Sequence, residues 1–223
     1  MMDTQWVKIR KQLIKQKQSI ILSRVTFDSS LNFEAHVRKQ LIKPILLMGI
    51  IRRTFKYLDD KCFSTVFKSL VRPHIEYANQ VWSPYLIKHI IALENVQRRA
   101  TKLIPGYKEH IKRLNLPTLS YRRLRGDMIE FFLISTGKYD STVTSNLFTL
   151  RDNYSITRGH NLKIFKERCW LNIRKKSFIY RSTDVWNSPP QSVVDAPSVQ
   201  SLEVKIEKLW KNHPIKNCAL CHL

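Results

Sequence analysis

The stretch from Ser69 to Gly106, SLVRPHIEYANQVWSPYLIKHIIALENVQRRATKLIPG, carries the strongest helical pattern in the chain. Apolar residues recur at spacings of three and four on both sides of Ser83-Pro84, which predicts two helices that join there. Toward its end, the side away from the apolar face is lined with Gln97, Arg98, Arg99 and Lys102. The stretch therefore predicts a packed module with one cationic side.

The charge of the whole chain fits that picture. The 223 residues include 39 Lys and Arg against 17 Asp and Glu, a net charge of +22. Such an excess predicts contact with phosphates or another anionic surface and leaves the fold open. Nucleic acid is the first candidate partner and an anionic membrane the second.

Cysteine usage and hydropathy bound the compartment. Four cysteines at uneven spacing do not form a disulfide framework and favour a reducing compartment. No segment approaches the roughly 18 to 20 apolar residues of a membrane span, and none resembles a signal peptide. We expect a soluble intracellular protein, nuclear or cytoplasmic. The basic, loosely amphipathic residues 1–22 leave a membrane-surface helix open as an alternative.

The N-terminal half predicts a mainly α fold. A short strand at Val25–Phe27 precedes a helix that Asn32 caps and that Pro44 kinks or splits. A second helix begins at Asp59 or Asp60 and runs to Trp82 with a bend near Ser69–Pro73. Its expected core face is Phe63, Val66, Phe67, Leu70, Val71, His74, Tyr77, Ala78, Val81 and Trp82.

The C-terminal half mixes helices with a small β element. A helix begins near Leu116 and ends at Gly137, and the pattern changes near Tyr139. Leu162–Phe165 and Trp170–Ile173 favour two short strands in a small β-hairpin, and helices follow from Ser177 and Ser198. The predicted division is a basic segment (1–24), a helical region (25–137), a second region with short strands and helices (138–210) and a tail (211–223).

Several long motifs resemble one family. The opening stretch resembles the segment that follows the polymerase palm in reverse transcriptases of jockey-like non-LTR (LINE-type) retrotransposons. The likeness covers roughly Val25 to Trp210 and keeps the order of the family's motifs. Its further motifs are VTFDSSLNFEAHV, MGIIRRTFKYLD, RLNLPTLSYRRLRGDMIEFF, TRGHNLKIFKERCWLNIRKKSF and DVWNSPPQSVVDAPSV.

The resemblance implies a thumb-like helical bundle and the helical region after it, which lies along the template–primer duplex. In the family an endonuclease domain, fingers and palm precede this segment. Ser23-Arg24 stands where the family has something like Leu-Gly, and Pro44 is a second departure. With the unmatched first residues, this suggests a truncated or decayed copy with a new N-terminus.

Tyr57-Leu58-Asp59-Asp60 matches the Tyr-x-Asp-Asp box whose carboxylates hold two magnesium ions in reverse transcriptases. That box lies in a strand hairpin, whereas Asp59-Asp60 precedes a helix start. We therefore predict a helix cap, no catalytic residue and no cofactor, since magnesium would belong to the absent palm.

The other candidate residues do not form a recognisable metal or catalytic site. Cys218, Cys221 and His222 at the end of the chain, with His213 before them, have some zinc-ligand character but no surrounding fold, so we predict no metal site. Cys62, Cys169 and His74 are interpreted as core residues. Tyr77, Trp82 and Trp186 are interpreted as core rather than as platforms for bases.

Four basic clusters remain as the predicted nucleic-acid contacts. No acids match them in the local sequence, which favours sequence-independent binding of a phosphate backbone. A solvated surface is the alternative for any one cluster. The clusters are Arg52, Arg53 and Lys56; Arg98, Arg99 and Lys102; Arg122, Arg123 and Arg125; and Arg174, Lys175 and Lys176.

The sequence thus predicts a reverse-transcriptase-derived fragment that binds RNA or an RNA–DNA duplex, without a small-molecule substrate and without its own polymerase activity. A cationic interaction or membrane-surface protein and a non-functional pseudogene product stay open as alternatives.

Overall fold

The computed structural model describes residues 20–104, 114, 116–145, 147–151 and 159–213. The described chain is mainly α-helical, which confirms the predicted fold class. It forms two compact units, whose described parts lie within 20–123 and 124–213. The boundary between the units falls within the helix Leu119–Ser135, between Arg123 and Leu124. The sequence pattern instead predicts a boundary near Tyr139.

Unit 20–123 begins with a β-hairpin. Strand β1 (Ile20–Leu22) pairs antiparallel with β2 (Val25–Phe27), which confirms the predicted strand. The two turn residues, Ser23 and Arg24, have φ of 47° and 67°. Two-residue turns with positive φ favour Gly or Asn, so Ser23 and Arg24 both hold a strained backbone here.

Helix α1 (Glu34–Thr54) follows. The N-cap position is Phe33 and not the predicted Asn32, although Asn32 Oδ1 accepts the N–H of Glu34 at 3.0 Å. Pro44 lies inside the helix and is buried, and the predicted split does not occur. A proline removes one backbone donor, while the rest of this long helix stays bonded and packs through Val37, Met48 and Ile51.

The predicted second helix is divided. It consists of α2 (Asp60–Val66), a π-helical turn (Phe67–Val71), α3 (Arg72–Glu76) and α4 (Asn79–Trp82). The irregularity lies where the bend was predicted. Beyond Phe67 the expected core face is only partly correct: Val71 and Trp82 are buried as predicted, while other positions differ because the wider π turn and the left-handed Ala78 shift the register. Ile75 and Asn79 are buried, whereas Leu70, Tyr77 and Val81 are exposed.

Helix α5 (Ile87–Thr101) begins three residues after Pro84, so it does not start at the predicted Ser83-Pro84 junction. Its buried face includes Ile90, Leu93 and Ala100. Helix α6 (Leu119–Ser135) is capped by Thr118, whose Oγ1 accepts the N–H of Tyr121 at 3.1 Å. It ends at Gly137, where φ is 65°.

In unit 124–213 the core is aromatic. The second half of α6 packs with α9 (Phe178–Asn187), where the ring of Phe131 stacks on Phe178 at 4.8 Å and on Trp186 at 5.7 Å. Leu202 and Ile206 are buried on the last helix, Val199–Leu209. The remaining helices of this unit are α7 (Ser141–Thr144), α8 (Asn172–Lys175), α10 (Gln191–Val194) and α11 (Val199–Leu209).

The predicted C-terminal hairpin does not form, because its first segment pairs with another part of the chain. Leu150 forms an antiparallel bridge with Ile164, and Asn187 binds the backbone N–H and carbonyl of Ile164 at 2.9 Å each. Trp170–Ile173 is not a strand, because α8 begins at Asn172. Pairing with a distant segment replaced the local hairpin that alternation alone predicted.

Candidate nucleic-acid interface

Two of the predicted basic clusters are exposed and form no ion pair within the part of the chain that the structure describes. Arg52 and Arg53 lie in the last turn of α1, with Lys56 just beyond it, and Arg98 and Arg99 lie in the last turn of α5. All are exposed, and none forms an ion pair with a described residue. Arg98 donates one long hydrogen bond of 3.4 Å to Asn95. We call this set the α1–α5 cluster: Arg52, Arg53, Lys56, Arg98, Arg99 and Lys102.

The packing of α1 and α5 gives the two ends a common direction. The helices pack together, and Lys88 in the first turn of α5 forms an ion pair of 3.1 Å with Glu34, the first residue of α1. Lys88 and Arg38 hold the pKa of Glu34 below its usual value. Because both helices begin at this ion pair, we infer that their basic C-terminal turns point the same way along the pair. Cations there also complement the helix dipoles.

The cluster at the start of α6 is different, and its prediction as a free basic surface is wrong. Arg122 forms a two-fold hydrogen bond with Glu76, one branch measuring 2.9 Å. The side chain of Arg123 is 6% exposed and lies 3.9 Å from Glu94. Arg125 pairs with Glu203 at 3.0 Å. The matching acids are distant in sequence, which is why the local sequence did not reveal them.

Glu76 also faces a second guanidinium. Arg72 is buried on α3, with its Nε 3.9 Å from Glu76 Oε1 and its guanidinium 5.5 Å from the centre of the Phe67 ring. Burial, together with the nearby charge of Arg122, lowers the pKa of Arg72 to about 10. Arg72 therefore remains charged at neutral pH, and Glu76 is the carboxylate that compensates both arginines.

Glu94 and Gln97 belong to the interior of unit 20–123. Glu94 accepts the backbone N–H groups of Leu119 and Ser120 at 3.2 Å and 2.8 Å, so it binds the positive end of α6. Gln97 is 1% exposed and donates to the carbonyl of Pro117 at 3.0 Å. Its assignment to the cationic side is wrong, since it serves packing.

The fourth predicted cluster is mixed. Arg174 pairs with Glu167 at 3.0 Å and stacks over the Tyr180 ring at 5.0 Å. Lys175 is exposed and forms no ion pair with a described residue. Neighbouring residues of one basic run thus differ in whether their charge is available.

The Tyr-x-Asp-Asp match is a helix cap, as predicted. Asp59 is the N-cap of α2, and its carboxylate accepts the N–H of Cys62 at 2.9 Å. Within the described residues, no group of three or more His, Cys, Asp or Glu side chains could hold a metal ion. Cys218, Cys221 and His222 lie outside those residues, and His213 packs its ring 5.6 Å from that of Trp210.

The predicted core residues divide. Trp82 and Trp186 are fully buried, as predicted, whereas Tyr77 is 43% exposed and donates its hydroxyl to the carbonyl of Ser23 at 3.1 Å. Cys62 and Cys169 are free thiols at intermediate burial, so both lie at the edge of a core. His74 is also half-buried, because the register shift of the second helix turns it partly outward.

A buried histidine on α1, His36, connects this helix to the β-hairpin. His36 on α1 is fully buried, with its ring 4.9 Å from the ring of Trp82. Its Nδ1 accepts the backbone N–H of Thr26 at 3.2 Å. Burial, with a smaller contribution from Lys39, lowers the pKa of His36 to about 4. His36 therefore joins α1 to the hairpin as a neutral group.

One exposed aromatic was missed by sequence reasoning. Trp170 was assigned to a strand, but it lies just before α8 with 87% of its surface exposed. Its position within the basic run from Lys166 to Lys176 is the signal that was available. Aromatic residues among cations are typical of surfaces that bind unpaired nucleotides.

Comparison of the chain with protein-family models, with curated proteins and with solved structures finds no match. Among the described helices, none is long and apolar enough to cross a membrane.

Proposed function

We propose that the chain is a non-catalytic segment derived from a LINE-type reverse transcriptase, and that it binds RNA or an RNA–DNA duplex through its phosphates. The observation that carries the proposal is the α1–α5 cluster. Its six cations are exposed and form no ion pair with a described residue. The resemblance supports the choice of a duplex, and the nucleus or the cytoplasm is the expected location.

The expected contacts are electrostatic. The cluster presents charges that suit a phosphate backbone, so binding should depend little on sequence. If all six cations neutralise phosphates, the logarithm of the affinity should fall against the logarithm of the salt concentration with a slope of about −5.

Filter binding to an RNA–DNA duplex over a salt series tests this proposal. The variant Arg98→Gln/Arg99→Gln/Lys102→Gln should weaken binding and make the slope shallower. Lys43→Gln/Lys138→Gln/Lys208→Gln is the matched control, since it removes the same charge from exposed sites outside the cluster. Affinity that is indifferent to salt, or equal losses in the two variants, would contradict the role of the cluster.

A second candidate, a cationic interaction or membrane-surface protein, is favoured by one observation. Ile42, Leu46 and Ile50 follow one side of α1 at a spacing of four and are 55%, 62% and 50% exposed. Co-sedimentation with phosphatidylserine vesicles tests it. Binding that Leu46→Gln/Ile50→Gln abolishes would favour this candidate, and absence of sedimentation would remove it.

A further inference from the structure

The segment from Phe165 to Lys176 combines exposed apolar side chains with unneutralised charge. Trp170 is 87% exposed, Leu171 62% and Phe165 53%. Among the tryptophans of the described residues, Trp82, Trp186 and Trp210 are each at most 6% exposed. Trp170 is therefore the one described tryptophan whose ring faces solvent.

Both ends of this segment are fixed to the core of unit 124–213. Ile164 is held by Asn187, and the N–H of Phe165 donates to the carbonyl of Thr149 at 2.8 Å. At the other end, Ser177 precedes α9, and Phe178 stacks on Phe131. The segment thus displays Trp170 from an anchored backbone, and the exposure does not arise at a chain end.

The charges of the segment leave a net positive surface around the ring. Its one acid, Glu167, is engaged by Arg174 at 3.0 Å and by the Tyr180 hydroxyl at 3.2 Å. Lys166 forms an ion pair with Asp184. Arg168 and Lys175 are exposed and form no ion pair with a described residue, and they flank Trp170 in sequence. An exposed indole between unpaired cations can stack on a base and contact the adjoining phosphates.

We propose that Trp170 is a stacking platform for an unpaired base, and that Arg168 and Lys175 contact the neighbouring phosphates of a single strand. The inference rests on the proposed function and adds to it a preference for nucleic acid with an unpaired region. Cations stand on both sides of the apolar stretch around Trp170, which suits a ligand that carries phosphates on either side of a flat base. An anionic bilayer is the competing partner, because Trp beside cations also suits a headgroup region, and the vesicle measurement below separates the two.

Trp170 supplies its own spectroscopic probe. In a Trp6→Phe background, which removes the one tryptophan outside the described residues, Trp170 is the only solvent-facing source of indole fluorescence. A short oligoadenylate should quench this emission and protect it from iodide, since stacking covers the ring. A long RNA–DNA duplex, whose base faces are covered, should bind without comparable quenching.

Three variants separate stacking from simple hydrophobic contact. Trp170→Ala should weaken binding of the oligoadenylate roughly tenfold to a hundredfold, and Trp170→Leu, which keeps an apolar side chain but no ring, should lose as much. Trp170→Phe should keep most of the affinity. All three should leave duplex binding unchanged and should stay folded, because the side chain is exposed.

The outcomes also separate this inference from the proposed function. If duplex and oligoadenylate bind but Trp170→Ala changes neither, the stacking role is overturned and the proposed function stands. If neither probe binds at low salt, both fail. A shift of Trp170 emission with phosphatidylserine vesicles and none with oligoadenylate would overturn stacking in favour of a membrane contact.

Discussion

Two basic runs of similar appearance behave in opposite ways. Arg98, Arg99 and Lys102 are exposed on α5 without carboxylate partners, whereas each arginine of the run Arg122, Arg123 and Arg125 is matched by a glutamate from another helix. A basic run in a sequence therefore does not show whether its charge is available. Availability depends on whether the fold brings an acid to it.

The paired run is also a structural joint. Glu76 and Glu94 lie on α3 and α5, and through Arg122 and Arg123 they fix the start of α6 within unit 20–123. A guanidinium in such a pair is poorly placed to neutralise a phosphate, because binding would leave its glutamate uncompensated. The cations of the α1–α5 cluster pair with no described carboxylate, so binding of a phosphate would leave no acid uncompensated.

The largest expected effect comes from breaking the paired side. Glu76→Ala leaves Arg72, whose side chain is 9% exposed, and Arg122 without their shared carboxylate. We expect a loss of about 3 to 5 kcal/mol in the free energy of unfolding, measured by urea denaturation. Glu207→Ala is the control, since that carboxylate is 56% exposed and should cost less than about 1 kcal/mol. Equal effects of the two variants would contradict the role of burial.

His36 is a third kind of basic group, one that burial keeps neutral in the folded chain. The pKa of His36 is about 4 in the folded chain and near 6.5 in the unfolded chain, so the unfolded state binds more protons between these values. The contribution of His36 is fully present above about pH 6.5 and is lost as pH falls toward 4. Burial lowers the pKa of His89 and His160 too, which adds to the same trend.

We therefore expect the free energy of unfolding to fall by about 2 kcal/mol from His36 alone between pH 7.5 and pH 5. Urea denaturation at several pH values measures this. In His36→Gln the free energy of unfolding should be lower at every pH, but it should change less steeply with pH. An unchanged slope in that variant would show that other groups cause the pH dependence.

The unpaired side should respond in affinity rather than in stability. Arg98→Gln/Arg99→Gln/Lys102→Gln should reduce the salt slope of duplex binding by about 3, close to 0.9 for each phosphate contact. Its free energy of unfolding should change by less than about 1 kcal/mol, because these side chains are exposed. Thermal denaturation beside the binding series checks both. A large loss of stability would mean that the cluster packs against something.

The smallest expected effect divides the mixed cluster. Lys175→Gln should make the salt slope of oligoadenylate binding shallower by about one and should leave the free energy of unfolding unchanged. Arg174→Gln should instead cost about 0.5 to 1 kcal/mol of stability through the loss of Glu167 and of the Tyr180 ring, and should leave the salt slope nearly unchanged. The reverse pattern would mean that Arg174 exchanges its intramolecular partners for phosphates.

Much of the fold was predictable from local pattern. The strand at Val25–Phe27, the Asp59 cap, the Gly137 end of α6 and the Ser198 cap of α11 follow from propensity and spacing that act over a few residues. The failures come from non-local or irregular backbone. The π turn at Phe67–Val71 moved the buried face, and Ile164 paired with Leu150 instead of with the next segment.

The candidate site shows the same limit. The cations of the α1–α5 cluster are exposed as the local sequence predicts, because position at a helix end and charge are local properties. Sequence reasoning misjudged Arg122, Arg123 and Arg125, whose glutamates are distant in sequence, and it missed Trp170, since alternation predicted a strand where the chain displays an exposed ring.

By itself the sequence determined that this is a strongly basic, mainly α chain with charge concentrated at helix ends, because composition and helical periodicity are properties of neighbouring residues. Tertiary structure alone decided which cations remain available. A carboxylate neutralises an arginine only at contact distance, and Glu76, Glu94 and Glu203 reach Arg122, Arg123 and Arg125 through helix packing. The α1–α5 cluster keeps its charge because that packing brings no described acid to it.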